Sequence, residues 1–463
     1  MQARRFSEAA RYLESLDPPG YTAAYAFEHG IPRTRHMLER MGGAPVVVQR
    51  CVLVTGSKGK GSTVTLIAQA LAAAGYRVGA YTGPHLHSPV ERFAFSRGRA
   101  GLRDMPPSVF VELTDAVRAI VETWDRPDLG MPTRFEAYTA MAYRWFERER
   151  ADIAIMEIGI GGRLDAVNLS EPMVSVITNI SLEHTQMLGA THAAIAAEKA
   201  GILRASGIGV AAAQSDEGAR ALRAAAAAIG APLRFAEDRW ACQPRTVTIE
   251  PGDIEQTFVT RAWAEPLAMP LLGAYQLQNA AAALCALDAL RERGFARLTP
   301  QAIRAGFARA RWPARLEVLH HTPLVIADGA HTPYSMEQLG KSLRLYFDGR
   351  LIRVVVGVLR DKDARNILRA VAGFADEVIL TEPRYHRAVP AAQLAAMWAE
   401  TAGDRPASVV IPPASAIRDA LRLARSNEIV VVTGSLHLAA DVLTVLAPAG
   451  VRRRPDSSPS SPL

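Results

Sequence analysis

The sequence predicts an α/β protein with two parts. One is a large domain whose mostly parallel, doubly wound sheet surrounds a P-loop; the other is a smaller C-terminal α/β, Rossmann-like domain. Three observations carry this. At Val52-Leu-Val-Thr-Gly-Ser-Lys-Gly-Lys-Gly-Ser-Thr63 an apolar β-branched run ends in a glycine-dense turn and opens a helical pattern. Strands alternate with helical stretches through residues 50–290, as crossovers between parallel strands require. A second strand–helix series starts at Leu324-Val-Ile-Ala-Asp328, with further strands at 353–358, 377–381, 408–411 and 429–433.

With 463 residues the chain exceeds one ordinary core, so two or three domains are expected, and the pattern places two, at 1–311 and 312–450. The Ser/Pro-rich 451–463 predicts a disordered tail. Apolar residues make up 49% and charged ones 21%, an ordinary soluble composition. No apolar run reaches membrane length, and no apolar signal core follows Arg4-Arg5. Cys51, Cys242 and Cys285 are few and scattered, which argues against a disulfide framework or a zinc site. These features predict a cytoplasmic chain, expected to be a monomer, with no membrane partner. The net charge of +7 suits a polyanion such as ATP or a carboxylated substrate. Basic residues are spread along the chain, with a single block at Arg452-Arg453-Arg454, so no nucleic-acid partner is expected.

Residues 1–45 carry helical patterns broken at Pro18-Pro19-Gly20. In the loop after Val52-Leu-Val-Thr55, Gly56, Gly59 and Gly61 free the backbone N–H groups to wrap an anion, and the helix N-terminus adds positive potential. Lys60 is then placed to reach the β/γ-phosphates, and the Ser62 hydroxyl, next to Thr63, to hold Mg²⁺. The spacing is shorter than the common G-x-x-x-x-G-K-[ST], so a lysine-bearing surface turn remains the alternative. Arg77–Thr82 predicts the next strand and leads to Gly83-Pro-His-Leu-His-Ser88, either a catalytic loop or a polar turn. Helices are expected over 107–124 and 133–149.

The run Ala151-Asp-Ile-Ala-Ile-Met-Glu157 is a strand with a carboxylate at its C-terminal end. Open α/β sheets bind ligands there, and a P-loop protein places a Mg²⁺ ligand there. The glycines that follow do not match G-x-G-x-x-G, which excludes a dinucleotide fingerprint. Val174–Asn179 predicts a strand before Glu183-His184-Thr185, and Glu198-Lys199-Ala-Gly201 closes a helix. Strand-like alternation recurs near Val247–Ile249, and Gln276-Leu-Gln-Asn279 heads an Ala-rich helix.

Several stretches, in order along the chain, resemble the Mur ligase superfamily and its folylpolyglutamate synthase/dihydrofolate synthase branch. They are Thr55–Ser62, Glu157–Asn168, Ile180–Thr185 with Leu188-Gly189, Glu198–Ile202, Trp312-Pro-Ala-Arg315, Asp328-Gly-Ala-His331, Asp361-Lys-Asp363 and Thr433-Gly-Ser-Leu436. The resemblance implies an ATP-dependent amide ligase. ATP phosphorylates a pteroyl or folyl carboxylate, and the amine of L-glutamate attacks the acyl phosphate. It implies phosphate contact by Lys60, a first Mg²⁺ on Ser62 and Glu157, a second on His184, and carbamylation of Lys199 by CO₂. Carbamylation needs a free amine, hence a depressed pKa, which burial would supply.

The same resemblance places Gln276 and Asn279 near adenine, and Arg315 and Asp328 on the nucleotide. His331 and Ser435 fall on the amino acid and phosphate, while Phe135, Asp165 and Ala166 fall in the pterin pocket. It also implies an active site shared between the domains, needing closure. Departures from the family pattern are Lys58 for Asn, Glu183 for Asp, Ala314 for Gly, Thr332 for Asn, Arg134 within Thr133-Arg-Phe-Glu136, and no Asn-Gly after Glu91-Arg92. Two other readings stand beside this one: a Mur-type ligase for a different carboxylate, and a nucleotide-binding protein without ligase chemistry.

Overall fold

A computed structural model describes residues 2–17, 23–43, 50–403 and 405–446. The expected break at Pro18-Pro19-Gly20 and the expected disordered tail lie outside the described residues. Two compact units divide the chain: Met1–Pro244 with Phe258–Ala268 and Gln276–Ala310, and Arg245–Thr257 with Met269–Tyr275 and the residues from Arg311 on.

The first unit holds an eight-stranded sheet. Its strands are β1 (Cys51–Thr55), β2 (Arg77–Tyr81), β3 (Phe93–Arg97), β4 (Arg103–Asp104), β5 (Ile153–Glu157), β6 (Val174–Ile177), β7 (Ile208–Ala211) and β8 (Leu233–Phe235), in the order β4-β3-β2-β5-β1-β6-β7-β8. β1 lies between β5 and β6 and pairs parallel with both. Every residue of β1 and β5 is buried, which is why they read as unbroken apolar runs and not as alternation. β3 and β4 pair antiparallel at one edge. One face is packed by an aromatic core in which Phe93, Phe110 and Tyr138 meet edge-on or tilted. The helix Lys60–Ala73 packs on Pro300–Arg309, where Gly306 lets the two backbones approach at Ala70.

The alternation near Val247–Ile249 belongs to β9 (Cys242–Glu250), joined to β10 (Asp253–Thr260) and β11 (Leu267–Met269) in a three-stranded sheet. The Ala-rich helix begins at Ala274, two residues before Gln276.

In the second unit β12 (Glu317–His321), β13 (Leu324–Ala327), β14 (Ile352–Val356), β15 (Glu377–Leu380), β16 (Ala407–Val409) and β17 (Ile429–Thr433) form a sheet in the order β12-β13-β17-β14-β15-β16. Only β12 is antiparallel to its neighbour. Apolar residues cover both faces, with Met336, Leu339 and Ile367 on one and Ile417, Leu438 and Val442 on the other. The expected strand at 353–358 stops at Val356 and the one at 408–411 at Val409, where Ile411 and Pro412 lead into the next helix.

Candidate active site

The phosphate loop joins β1 to the helix Lys60–Ala73. Gly56 and Gly59 have φ of 144° and 88°, a region L side chains avoid. A Cβ on Gly56 would stand 2.9 Å from Thr178 Cβ, and one on Gly59 would stand 2.8 Å from Asn279 Cγ. The loop is hydrogen-bonded to the chain after β6. Ser57 N–H donates to the Asn179 carbonyl at 2.7 Å, Lys58 N–H to Asn179 Oδ1 at 3.2 Å, and Thr178 Oγ1 to the Lys58 carbonyl at 2.7 Å. Lys60 curls back so that Nζ donates to the Gly56 carbonyl at 3.2 Å, which lays its cation over the loop. Gly61, Ser62 and Thr63 occupy the buried first turn, the positive end of the helix.

Pairing of β1 with β5 sets Val54 opposite Glu157, so this carboxylate stands one strand from the start of the loop. It is buried and accepts the Gly83 N–H at 3.1 Å. His184 is exposed and takes a left-handed φ of 50°, its carbonyl accepting the N–H groups of Met187 and Leu188 at 2.9 Å. Lys199, in the helix His192–Ala200, is only 2% exposed. Burial, then the cation of Lys60, brings its amine down to about 7, against the opposing pull of Glu183.

Asp165 is pushed up to about 6 by burial, although it accepts the N–H groups of Ile160 and Val167 at 2.9 Å. Gly159 brings Phe135 and Asp165 together: a Cβ there would lie 2.6 Å from Phe135 Cζ and 3.1 Å from Asp165 Oδ2. Ala166 is buried beside Gly30. In the helix Ala274–Glu292, Asn279 Nδ2 donates to Gln276 Oε1 at 2.9 Å. Gln276 Nε2 is buried and has no hydrogen-bond partner among the described residues. A donor left unmet near the loop marks a place for an acceptor from a ligand.

Among the described residues no three His, Cys, Asp or Glu side chains gather into a metal cluster. Ser62, Glu157 and His184 offer one hydroxyl, one carboxylate and one imidazole from three segments. This sparse set fits Mg²⁺ that keeps water and phosphate ligands, and does not fit a metal caged by protein alone.

In the second unit Asp328 follows β13 and accepts the N–H groups of Leu316 at 2.8 Å and Ala330 at 2.7 Å. Burial raises its pKa, with Arg315 opposing. Arg315 Nη1 donates to the Ala314 carbonyl at 2.8 Å. Ala314 has φ of 53°, a strained conformation that glycine adopts freely. His331 Nδ1 donates to the Gly329 carbonyl at 2.7 Å. Thr332 caps the helix Pro333–Tyr346 and Ser435 caps Leu436–Val445, accepting N–H groups from Ser335 at 3.3 Å and Leu438 at 3.1 Å. Asp328, His331 and Ser435 follow the C-terminal ends of β13 and β17, the ligand end of an open α/β sheet.

Sequence reasoning missed three relationships. Lys58 and Glu183, two of the departures, pair with each other, Nζ to Oε2 at 3.0 Å. Burial works to raise the Glu183 carboxyl, yet Lys58, Lys60 and Lys199 hold it below its ordinary value. Arg134 is taken up by Asp17 at 2.9 Å. Arg33 and Glu136 form a fully buried pair at 2.7 Å, in which Glu136 also accepts the Thr133 N–H at 2.7 Å. The capping spacing Thr133–Glu136 signalled the last bond; nothing local signalled Arg33.

Against known families, residues 124–287 match the Mur ligase middle domain and residues 314–436 the glutamate ligase domain of Mur ligases. The dihydrofolate synthase/folylpolyglutamate synthase of Bacillus subtilis is 32% identical over 420 residues, covering 90% of this chain and 95% of that one. The folylpolyglutamate synthase of Lacticaseibacillus casei is 32% identical over 442 residues, covering 92% and 98%. Among solved structures, Mycobacterium tuberculosis folylpolyglutamate synthase complexed with ADP and AMPPCP superposes with a TM-score of 0.84 at 28% identity, over 97% of this chain and 100% of that chain. Escherichia coli FolC in complex with DHPP and ADP gives 0.79 at 29% identity, over 95% and 97%. Kinship at this level, running nearly end to end through both ligase domains, means that the chain belongs to the folylpolyglutamate synthase/dihydrofolate synthase family of Mur ligases.

Proposed function

We propose that this chain is an ATP-dependent amide ligase that joins L-glutamate to a pteroyl or folyl carboxylate through an acyl phosphate. The observation that carries the proposal is Lys199, buried among the charges of Lys60, Lys58 and Glu183 with its amine near neutrality. A nucleotide-binding protein without ligase chemistry has no use for such a group. Relatives of nearly full length that are named for both folate activities support the substrate class.

In this reading Lys60 and the loop N–H groups bind the phosphates and orient the γ-phosphoryl toward the acceptor carboxylate. Ser62, Glu157 and His184 would hold Mg²⁺, which supplies charge neutralisation on the phosphates when bound. The neutral Lys199 amine adds to CO₂, forming an N–C bond and releasing a proton, so that a carbamate anion replaces a cation. Phe135, Asp165 and Ala166 line the pterin pocket, and Gln276 with Asn279 faces adenine. Arg315 and Asp328 serve the nucleotide, and His331 and Ser435 the glutamate. Residues 1–311 act as the ATP-binding domain and 312–450 as the second, with 245–257 and 269–275 grouping structurally with the latter. A single chain in the cytoplasm is the working unit. All three cysteines are free, and no described helix is long and apolar enough to cross a membrane.

The test is phosphate release with ATP, Mg²⁺, L-glutamate and a panel of pteroate, dihydropteroate and folate, with the product weighed by mass spectrometry. Release that needs both glutamate and one of these acceptors, with a glutamyl amide product, is expected. No amide with any of the three would overturn the proposal.

A further inference from the structure

The backbone between the phosphate loop and the segment after β6 is paired beyond the ends of the strands. The last parallel register is Thr55 with Ile177, and an isolated antiparallel bridge then joins Lys58 to Asn179. Ser57 and Ser181 tie the two segments once more, Ser57 Oγ donating to the Ser181 carbonyl at 3.0 Å and accepting the Ser181 N–H at 2.9 Å. Past Ser181 the chain turns outward: Leu182 is 56% exposed, and His184 holds the left-handed φ of 50°. Across this turn the Lys58 ammonium reaches the Glu183 carboxylate at 3.0 Å, both side chains largely screened from solvent. A pair so enclosed is worth more than an exposed one, and it has a fixed geometry to impose.

We infer that the Lys58–Glu183 pair is a positioning latch, which holds the His184 turn against the phosphate loop so that the turn is in place when nucleotide enters. Lys58 is here a positioning residue and not a phosphate ligand, because its ammonium is already committed to Glu183, while the loop's other cation, Lys60, lies over the Gly56 carbonyl. The inference rests on the proposed function for its effect on turnover, but not for its structural content.

The experiment compares the full-length protein with Lys58→Met, Glu183→Gln, the double variant and Lys58→Arg. Amide hydrogen exchange of the peptide 180–188 reads the latch directly. It should quicken several-fold in either single variant, no further in the double, and return toward the parent rate in Lys58→Arg. In titrations with a fluorescent ADP analogue, affinity should stay within about twofold throughout. Glutamate-dependent kcat should fall by about tenfold in each single variant and no further in the double, because one interaction is lost in each. Additive losses, or unchanged exchange at 180–188, would overturn the latch. Weaker ADP binding in Lys58→Met with tighter binding in Glu183→Gln would also overturn it, showing Lys58 to be a phosphate ligand. If the parent protein makes no glutamyl amide, the proposed function fails, and the exchange and titration results still decide the latch.

Discussion

Asn279 occupies the space that a side chain on Gly59 would need. A Cβ built on Gly59 collides with Asn279 Oδ1 and lies 2.8 Å from its Cγ, while the backbone holds φ at 88°. The phosphate loop and the helix Ala274–Glu292, far apart in sequence, are thus fitted to each other at one residue. Gly59→Ala is expected to weaken nucleotide binding and to cost about 1–3 kcal/mol of stability through backbone strain alone. An isothermal titration with ADP and a denaturant melt check both; parent-like values in the two would contradict the fit.

Lys60→Ala removes the cation folded over the loop at Gly56. Its side chain is only partly buried, so the melting temperature should hardly change. ATP turnover should fall by about 10²- to 10³-fold, as when a positioned electrostatic group is lost from a transition state. Near-normal turnover would mean that the phosphates bind elsewhere.

Glu157→Gln and His184→Ala are expected to impair Mg²⁺-dependent turnover more than nucleotide affinity, because Glu157 stands one strand from the start of the loop, His184 follows the Glu183 that pairs with Lys58, and neither belongs to the loop. The contrast between a fluorescent-nucleotide titration and a rate measurement over a Mg²⁺ series reads this. Equal losses in the two would remove both residues from the metal role.

Lys199 makes a prediction about pH. Its amine is lowered from 10.5 to about 7, so it is mostly protonated below that value and mostly free above it. The free form alone reacts with CO₂. Ligase activity should therefore rise as pH increases through about 7 and should fall when CO₂ is stripped from the buffer. Lys199→Ala should abolish both responses and lower amide formation by orders of magnitude, with ADP still bound. Added acetate should restore part of the rate. A ¹³C signal from labelled CO₂ at this side chain tests the carbamate, and an unmodified ammonium in the active, substrate-bound enzyme would exclude it.

Arg33→Met should destabilise the protein by about 3–5 kcal/mol, because it leaves the Glu136 carboxylate buried without its partner. Burial already pushes that carboxyl upward against the pull of Arg33. The double variant Arg33→Met/Glu136→Gln should recover part of the loss, which urea titrations of the three proteins would show.

The sequence by itself determined the strands at 52–55, 77–82 and 174–179, the glycine loop, the carboxylate closing Ala151–Glu157 and the restart of an α/β series near Leu324, but not the edge strands Phe93–Arg97 and Arg103–Asp104. Each rests on local chemistry: β-branched runs favour buried strands, positive φ selects glycine, and a fully covered parallel strand reads as unbroken apolar sequence. Only the tertiary structure decided that Lys58 faces Glu183, that Asn279 fills the space at Gly59 and that Arg33 answers Glu136, and it supplies the burial of Lys199 that the family resemblance implied. Desolvation and pairing depend on which segments the sheet and its crossovers bring together across more than a hundred residues. No window of neighbouring residues contains that information: Glu198-Lys199-Ala-Gly201 marks only a helix end, and the burial that lowers the Lys199 amine comes from the segments the fold packs around it.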